Sequence, residues 1–236
     1  MFIDSQKMNF HPTLLGFFFN PYFLLRYNLY NNIENIAKDI KGNLLDFGCG
    51  SKPYQNLFFV DEYVGVDIEV SGHKHNDSKV DFYYNGKVLP FKSETFDNVF
   101  SSEVFEHLFN IDEILCEINR VLKNDGYLLF TTPFVWEEHE VPYDFGRYAI
   151  FGMEHILKKN GFSIVKQKKS TDYISTIIQL FISYLYQVIP LPSKIKRLLN
   201  PFIIMPFTLI GIVLSYLLPN NHRLFINHVI LAQKNK

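Results

Sequence analysis

The stretch Leu44-Leu45-Asp46-Phe47-Gly48-Cys49-Gly50-Ser51 constrains this chain more than any other. An apolar run that closes on an acid and then on glycines is what a buried strand looks like where it empties into a loop that must meet a ligand with its backbone. The strand is expected at about residues 43–47. Gly48 and Gly50 remove the side chains that would hold a nucleoside at a distance, and Asp46 stands at the strand mouth, where a carboxylate can hold a polar or cationic group. Plain tight turns use the same glycine pair, so a second feature has to decide. Glu62-Tyr63-Val64-Gly65-Val66-Asp67-Ile68 supplies it, a short buried strand ending in an acid. Asp67 follows Asp46 by about twenty residues, the separation at which an acid at the next strand end meets ribose hydroxyls. A dinucleotide fingerprint would need a third glycine where Pro53 stands, so the loop favours a nucleoside without a pyrophosphate.

The remaining pattern alternates strands with helices. Residues 20–40 read as an amphipathic helix started by Asn20-Pro21 and stopped by Lys41-Gly42. It either packs on the domain or lids the ligand, with Arg26 and Tyr30 as its polar contributors. Strands are expected at Lys79–Tyr84, followed by the turn pair Asn85-Gly86, and at Phe96–Ser101. Apolar positions 111, 114, 115, 118, 121 and 122 make the cleanest amphipathic helix, stopped by Lys123-Asn124-Asp125-Gly126. A fifth strand follows at Tyr127–Thr132, a helix at Tyr148–Asn160, a sixth strand from Phe162, and a last one at Leu224–Leu231. Such alternation implies a parallel sheet with helices on both faces and a ligand at the carboxyl ends of the strands, where Asp46, Asp67, Asn85 and Ser101 all fall.

Taken in order, LLDFGCG, YVGVD, LPF with FDNVFSSEVFEH, EINRVLKNDG and YLLFTTPF resemble the class I S-adenosylmethionine-dependent methyltransferases, and within them the type 11 group, from about Leu44 to Phe162. The resemblance implies an α/β Rossmann-like sheet of seven strands, with S-adenosylmethionine as cofactor. It implies that Asp46, Gly48, Cys49 and Gly50 line the methionine end of that cofactor and that Asp67, with Ile68, binds its ribose. Asn85 falls where relatives place an acid near the adenine amine, and Ser101 lies at the next strand end. The methyltransferase domain is then expected at 42–172 with 222–236, preceded by an N-terminal helical segment or lid at 1–41.

Methyl transfer from a sulfonium is an in-line displacement, so the protein must hold a nucleophile close to the methyl carbon and exclude water. A hydroxyl acceptor also needs its proton removed. His107 after the fourth strand and His139 after the fifth are the candidate bases, His107 with a structural role as its alternative. The loop 136–148 gathers ionisable and aromatic groups beyond what a connector requires. Asp144 is assigned to substrate binding or base work with His139, Arg147 to an ion pair with Asp144 that orders the loop, and Trp136, Tyr143 and Tyr148 to substrate contact. No metal site is expected, because the histidines and acids show no ligand spacing along the chain.

Residues 173–221 change character. They hold two uncharged halves around the basic knot Lys194, Lys196 and Arg197, an apolar helical insertion between the last two strands. Each half approaches the roughly 20 residues of a membrane span. A spanning hairpin would put the knot outside, against the positive-inside tendency. The favoured reading is helices dipping into one leaflet, with a domain cap or a dimer seam as the alternative. With 24 Phe and 14 Tyr in 236 residues, apolar surface exceeds what one modest core needs. A net charge of −1 gives no footprint for nucleic acid. Two cysteines make no disulfide framework, and the short first apolar run makes no secretory signal, so a cytoplasmic protein at the inner face of a bacterial membrane is expected. Its expected substrate is a lipid-linked or glycan-precursor hydroxyl; the alternatives are a quinone-like lipid and a cofactor-binding scaffold without chemistry.

Overall fold

The computed structural model describes residues 9–69 and 79–236. Seven strands form one sheet: β1 (Asn43–Phe47), β2 (Glu62–Ile68), β3 (Phe82–Tyr84), β4 (Phe96–Ser102), β5 (Leu122–Pro133), β6 (Phe162–Lys169) and β7 (Asn227–Lys234), in the order β3-β2-β1-β4-β5-β7-β6. β1 pairs in parallel with β2 and with β4, β2 with β3, and β4 with β5. The sheet is not wholly parallel as expected. Gly161 O accepts from Asn235 N at one end of the β6 and β7 pair, and Ser170 N donates to Asn227 O at the other, so β7 runs antiparallel. On its other side Lys234 Nζ reaches Leu122 O at the start of β5.

Helices α1 (Leu14–Phe19), α2 (Phe23–Ala37), α3 (Ile111–Val121), α4 (Ile150–Lys159), α5 (Tyr173–Val188), α6 (Ser193–Ile203) and α7 (Met205–Leu217) complete the fold. Ile114, Leu115, Ile118 and Val121 form the buried face of α3, and with Met153 and Leu157 of α4 they pack on Leu45, Val99, Leu128 and Ile230 of the sheet. Boundaries of three strands differ from the sequence reading. The expected stop at 123–126 lies inside β5: Phe96 pairs with Leu122 and Asn98 with Tyr127, so the polar residues between bulge from the ladder, Asp125 at φ 62°. β3 is shorter than expected because Asp81, just before it, spends its carboxylate on Gly65 N (2.6 Å) and on Lys52. β6 runs from Phe162 into the lysines as expected, ending at Lys169. β7 begins three residues later than expected, since Ile226 N donates to the Thr171 hydroxyl rather than to a strand.

By packing, the chain divides into two compact units, 34–168 with 228–236, and 1–33 with 169–227. The first holds β1 to β5 and the sheet core. The second pairs the N-terminal segment with the insertion. There the buried Gln179 of α5 donates to Pro21 O (2.9 Å) and accepts from Leu25 N (3.2 Å), while Asn200 of α6 donates to Phe19 O (2.8 Å). Asp172 caps α5 and accepts from Ser215 of α7 at 2.6 Å. Leu24, Ile182 and Ile204 form its apolar centre. Arg26 lies over the Phe10 ring and Tyr30 against the His11 ring, all inside this unit.

Replacing Gln179 by Ala strands a buried N–H and a buried carbonyl, which costs about 2 kcal/mol or more. Chemical denaturation of Gln179→Ala should show a lower midpoint, with α2 and α5 losing amide protection first.

Candidate active site

The loop after β1 is built as its sequence requires. Gly48 takes φ 72° and Gly50 φ 47°. A Cβ on Gly48 would stand 2.4 Å from Val104, whereas one on Gly50 would meet nothing within 4 Å and project into open space. The two glycines therefore serve different ends: Gly48 lets the loop close against the segment after β4, and Gly50 leaves room beside the backbone. Asp67 at the end of β2 locks the loop by accepting from Gly50 N (2.8 Å) with one oxygen and from Ile68 N (2.7 Å) with the other. Each carboxylate oxygen keeps a second lone pair for a hydroxyl.

Asp46 is buried and accepts from the Tyr63 hydroxyl at 2.6 Å. Burial pushes its carboxyl up to about 7, against the pull of that hydrogen bond and of Lys52. Cys49 is buried beside it, its thiol driven well above the ordinary range by burial and by the neighbouring acids. Ser101 lies fully buried in β4 with an unpartnered hydroxyl. Asn85 directly follows β3 and is exposed, but its Oδ1 accepts from Lys87 N (3.0 Å) and Val88 N (2.9 Å), holding its own turn. Tyr63, Lys52 and Asp81 were not singled out in the sequence. Only Asp81, an acid before a strand, left a signal there.

A second group forms where β4 and β5 end. A single 3-10 turn, Phe105–His107, follows β4, and the loop 136–148 follows β5. The backbone carbonyl of Glu106 accepts from Phe145 N (2.8 Å) and Gly146 N (3.1 Å), pinning that loop onto the turn. The His107 and His139 rings meet edge to face, 4.8 Å between centroids. His107 Nδ1 lies 2.7 Å from Tyr143 O, a carbonyl, which places the proton on Nδ1 and leaves Nε2 with a lone pair. Burial pushes this imidazole down, toward its neutral form. Arg147 pairs with Asp144 as expected, Nη2 to Oδ2 at 2.7 Å, and holds that carboxyl at about 2. Asp144 also accepts from His139 N at 3.0 Å, so the pair orders the loop. Trp136 is half-buried, Tyr143 lies exposed, and Tyr148 gives its carbonyl to His228 Nε2 at 3.0 Å.

Glu106 was missed by the sequence reading, although the Glu106-His107 pair stood in plain view. Its carboxyl is fully buried and held well above the ordinary range by burial and by the charge of Glu103. Glu140 Oε1 approaches His107 Nε2 at 3.4 Å. Because β1, β4 and β5 are parallel neighbours, the two groups leave the same edge of the sheet, about 10 Å apart at ~4.8 Å per strand.

The raised Asp46 carboxyl gives a pH dependence whose sign is fixed. Below about pH 4 it is protonated folded or unfolded and costs nothing; as pH rises toward 7 only the unfolded form ionises freely, so stability is lost until the folded carboxyl ionises too. Asp46→Asn should therefore gain on the wild type between about pH 4 and 7 and hold that gain above, on the order of 2–4 kcal/mol. Thermal unfolding across that pH range reads it.

Residues 45–130 match the family model described as a methyltransferase domain. The uncharacterized protein MJ1252 of Methanocaldococcus jannaschii is 34% identical over 109 residues, 44% of this chain and 43% of that protein. The ubiquinone biosynthesis O-methyltransferase of Pelagibacter ubique is 31% identical over 146 residues, 53% of this chain and 58% of that one. The chain thus spans about half the length of the curated relatives it matches. Among solved structures, phosphoethanolamine N-methyltransferase 2 of Haemonchus contortus, in complex with S-adenosyl-L-methionine, superposes with a TM-score of 0.56 at 20% identity, over 94% of this chain and 56% of that one. Residues 45–130 are thus similar to the methyltransferase-domain family, and the seven-stranded sheet ordered 3-2-1-4-5-7-6 has the Rossmann-like fold of the solved methyltransferases.

Proposed function

We propose that this protein is an S-adenosylmethionine-dependent methyltransferase that methylates a hydroxyl of a lipid-linked or glycan-precursor acceptor at a membrane surface. The observation that carries the reading is the pair of acids at adjacent parallel strand ends, Asp46 and Asp67, joined through a loop whose Gly50 borders open space. These residues fit the cofactor. A buried carboxyl poised near neutrality takes a cationic amino group, and a carboxylate with lone pairs to spare takes two ribose hydroxyls. When bound, S-adenosylmethionine supplies an electrophilic methyl carbon. The chain's own part on the acceptor side is to seat the hydroxyl against His107 and His139 in the loop ordered by Asp144 and Arg147.

O-methylation is favoured by the matched ubiquinone biosynthesis O-methyltransferase, whose name also keeps a quinone-like lipid as the second reading. A lipidic acceptor agrees with the insertion. No single helix among the described residues is long and apolar enough to cross a membrane, but α6 and α7 together pass by length and composition, bent by 45°. Their outward residues include Phe202, 80% exposed, and Tyr216, 89% exposed, on the same insertion as Lys194, Lys196 and Arg197. Apolar helices with a basic knot fit docking into one leaflet at the headgroup level.

Calorimetry with S-adenosylmethionine tests the donor side: the wild type should bind, and Gly50→Ala, whose Cβ fills the open space while costing the fold only about 1 kcal/mol, should not. Labelled methyl donor with a membrane lipid extract should yield a labelled lipid product, and His139→Ala should cut that turnover on the order of 10²-fold with cofactor affinity intact. Flotation with anionic liposomes should carry the chain upward, and a chain that stays at the bottom of the gradient removes the membrane from the proposal.

A further inference from the structure

The group at the ends of β4 and β5 contains more carboxyl groups than cations to answer them. Glu106 is fully buried, and neither of its carboxyl oxygens has a hydrogen-bond partner. His107 Nε2 is likewise buried without one. Glu103 and Glu140 both press negative potential on Glu106, while Arg147, the nearby cation, is engaged by Asp144. A buried carboxyl without a hydrogen-bond partner, beside an imidazole nitrogen whose neighbouring groups are carboxylates at 3.4 and 3.8 Å, is costly unless a further group completes the set.

From this geometry we propose that Glu106, His107 and His139 are ligands of a divalent metal ion, with Glu140 as the flanking carboxylate. Among the described residues, ligand atoms of these three lie within 4.8 Å of one another. Bonds of about 2.1 Å to one ion set its ligand atoms at most ~4.2 Å apart, so the group closes on an ion with a side-chain adjustment of less than an ångström. The support behind the ligands is of the kind metal sites use. Tyr143 O takes the Nδ1 proton of His107 at 2.7 Å and orients Nε2 as the donor, and Asp144 at 3.3 Å from His139 Nδ1 steadies the second ring. Two imidazoles with carboxylate select a first-row transition ion, such as zinc or manganese, over calcium or magnesium, which favour all-oxygen sets. Three protein ligands leave positions open, and an acceptor hydroxyl is the group they would take. That last step rests on the methyltransferase reading; the metal site itself does not.

The ligands were invisible as spacing because Glu106-His107 and His139 are more than thirty positions apart, and only the pinning of the 136–148 loop to the turn brings them together. The test is a titration of the full chain with cobalt(II) chloride, read by visible absorption. Ligand-field bands should saturate at one ion per chain. Glu106→Gln and His139→Ala should each weaken binding by 10–100-fold, and His155→Ala, an exposed imidazole elsewhere, should leave it unchanged. Far-UV circular dichroism confirms that the variants fold, Glu106→Gln being the near-isosteric one. Absence of bands at millimolar cobalt, or titrations undiminished in both Glu106→Gln and His139→Ala, overturns the site. The same chain titrated calorimetrically with S-adenosylmethionine separates the two proposals: cobalt bound without cofactor binding supports the site and overturns the methyltransferase reading, and the reverse overturns the site alone.

Discussion

Parallel pairing of β1 with β2 on one side and β4 on the other is the constraint from which the rest follows. Parallel neighbours cannot be joined by a tight hairpin; each connection must cross back over the sheet, so successive strands deliver their carboxyl ends to one edge. Asp46, Asp67, the Glu106-His107 turn and the 136–148 loop are distant in sequence and share that edge for this reason. The residues between them supply the crossover packing. The buried row Ile114, Leu115, Ile118 and Val121 of α3 fixes the return from β4 to β5, and with it the spacing of the two clusters. β7 departs from the parallel rule at no cost to the edge, since it enters beside β5, beyond the strands whose ends carry acids.

Both clusters hold a carboxyl that would be more stable elsewhere. Asp46 and Glu106 are buried acids whose protons are bound more tightly than in water, and each sits in potential made worse by a second acid, Asp67 for one and Glu103 for the other. A core optimised for stability would use apolar side chains of similar volume at both positions. Asp144 is the opposite case: paired with Arg147 it ionises readily and serves to order backbone, donating nothing to an acceptor. The contrast separates buried acids that hold their protons from an acid ionised against a cation to order a loop, a distinction the residue types alone do not make.

The same contrast explains what could be read in the sequence. β1, β2 and α3 were legible because their apolar periodicities are strong and their ends are marked by acid, glycine or charge. The antiparallel entry of β7 was not, since an apolar run carries no direction. The bulge at 123–126 looked like a loop because it is one chemically; only its pairing on either side makes it part of β5. Asp46 and Asp67 could be placed from their positions at strand ends, and the Asp144 and Arg147 pair from spacing. Glu106 could not, since its importance comes from complete burial against residues that follow it in a distant loop. The division into two units, with the N-terminal segment joined to the insertion, depends on contacts such as Gln179 with Pro21 that no local pattern announces.

Unit 1–33 with 169–227 buries hydrogen-bonded polar side chains beside its apolar centre and carries large apolar side chains on its outside. Gln179, Ser175, Thr176, Ser183, Asn200 and Thr208 are buried inside it, while Leu198, Phe202, Tyr216 and Leu217 point outward. In water the hydrophobic effect penalises that outward face at roughly 25 cal/mol per Å², and the hydrogen-bonded polar interior gains little in return. The balance changes when the outer face meets hydrocarbon. Apolar helices then gain nothing by turning inward, and the hydrogen bonds of Gln179 and Asn200 to backbone carbonyls become the groups that hold the helices together, because no water competes for them. The bend of 45° between α6 and α7 fits a segment that enters a leaflet and returns. Under the proposed docking into one leaflet, the insertion's buried hydrogen-bonded groups and its apolar exterior serve one purpose.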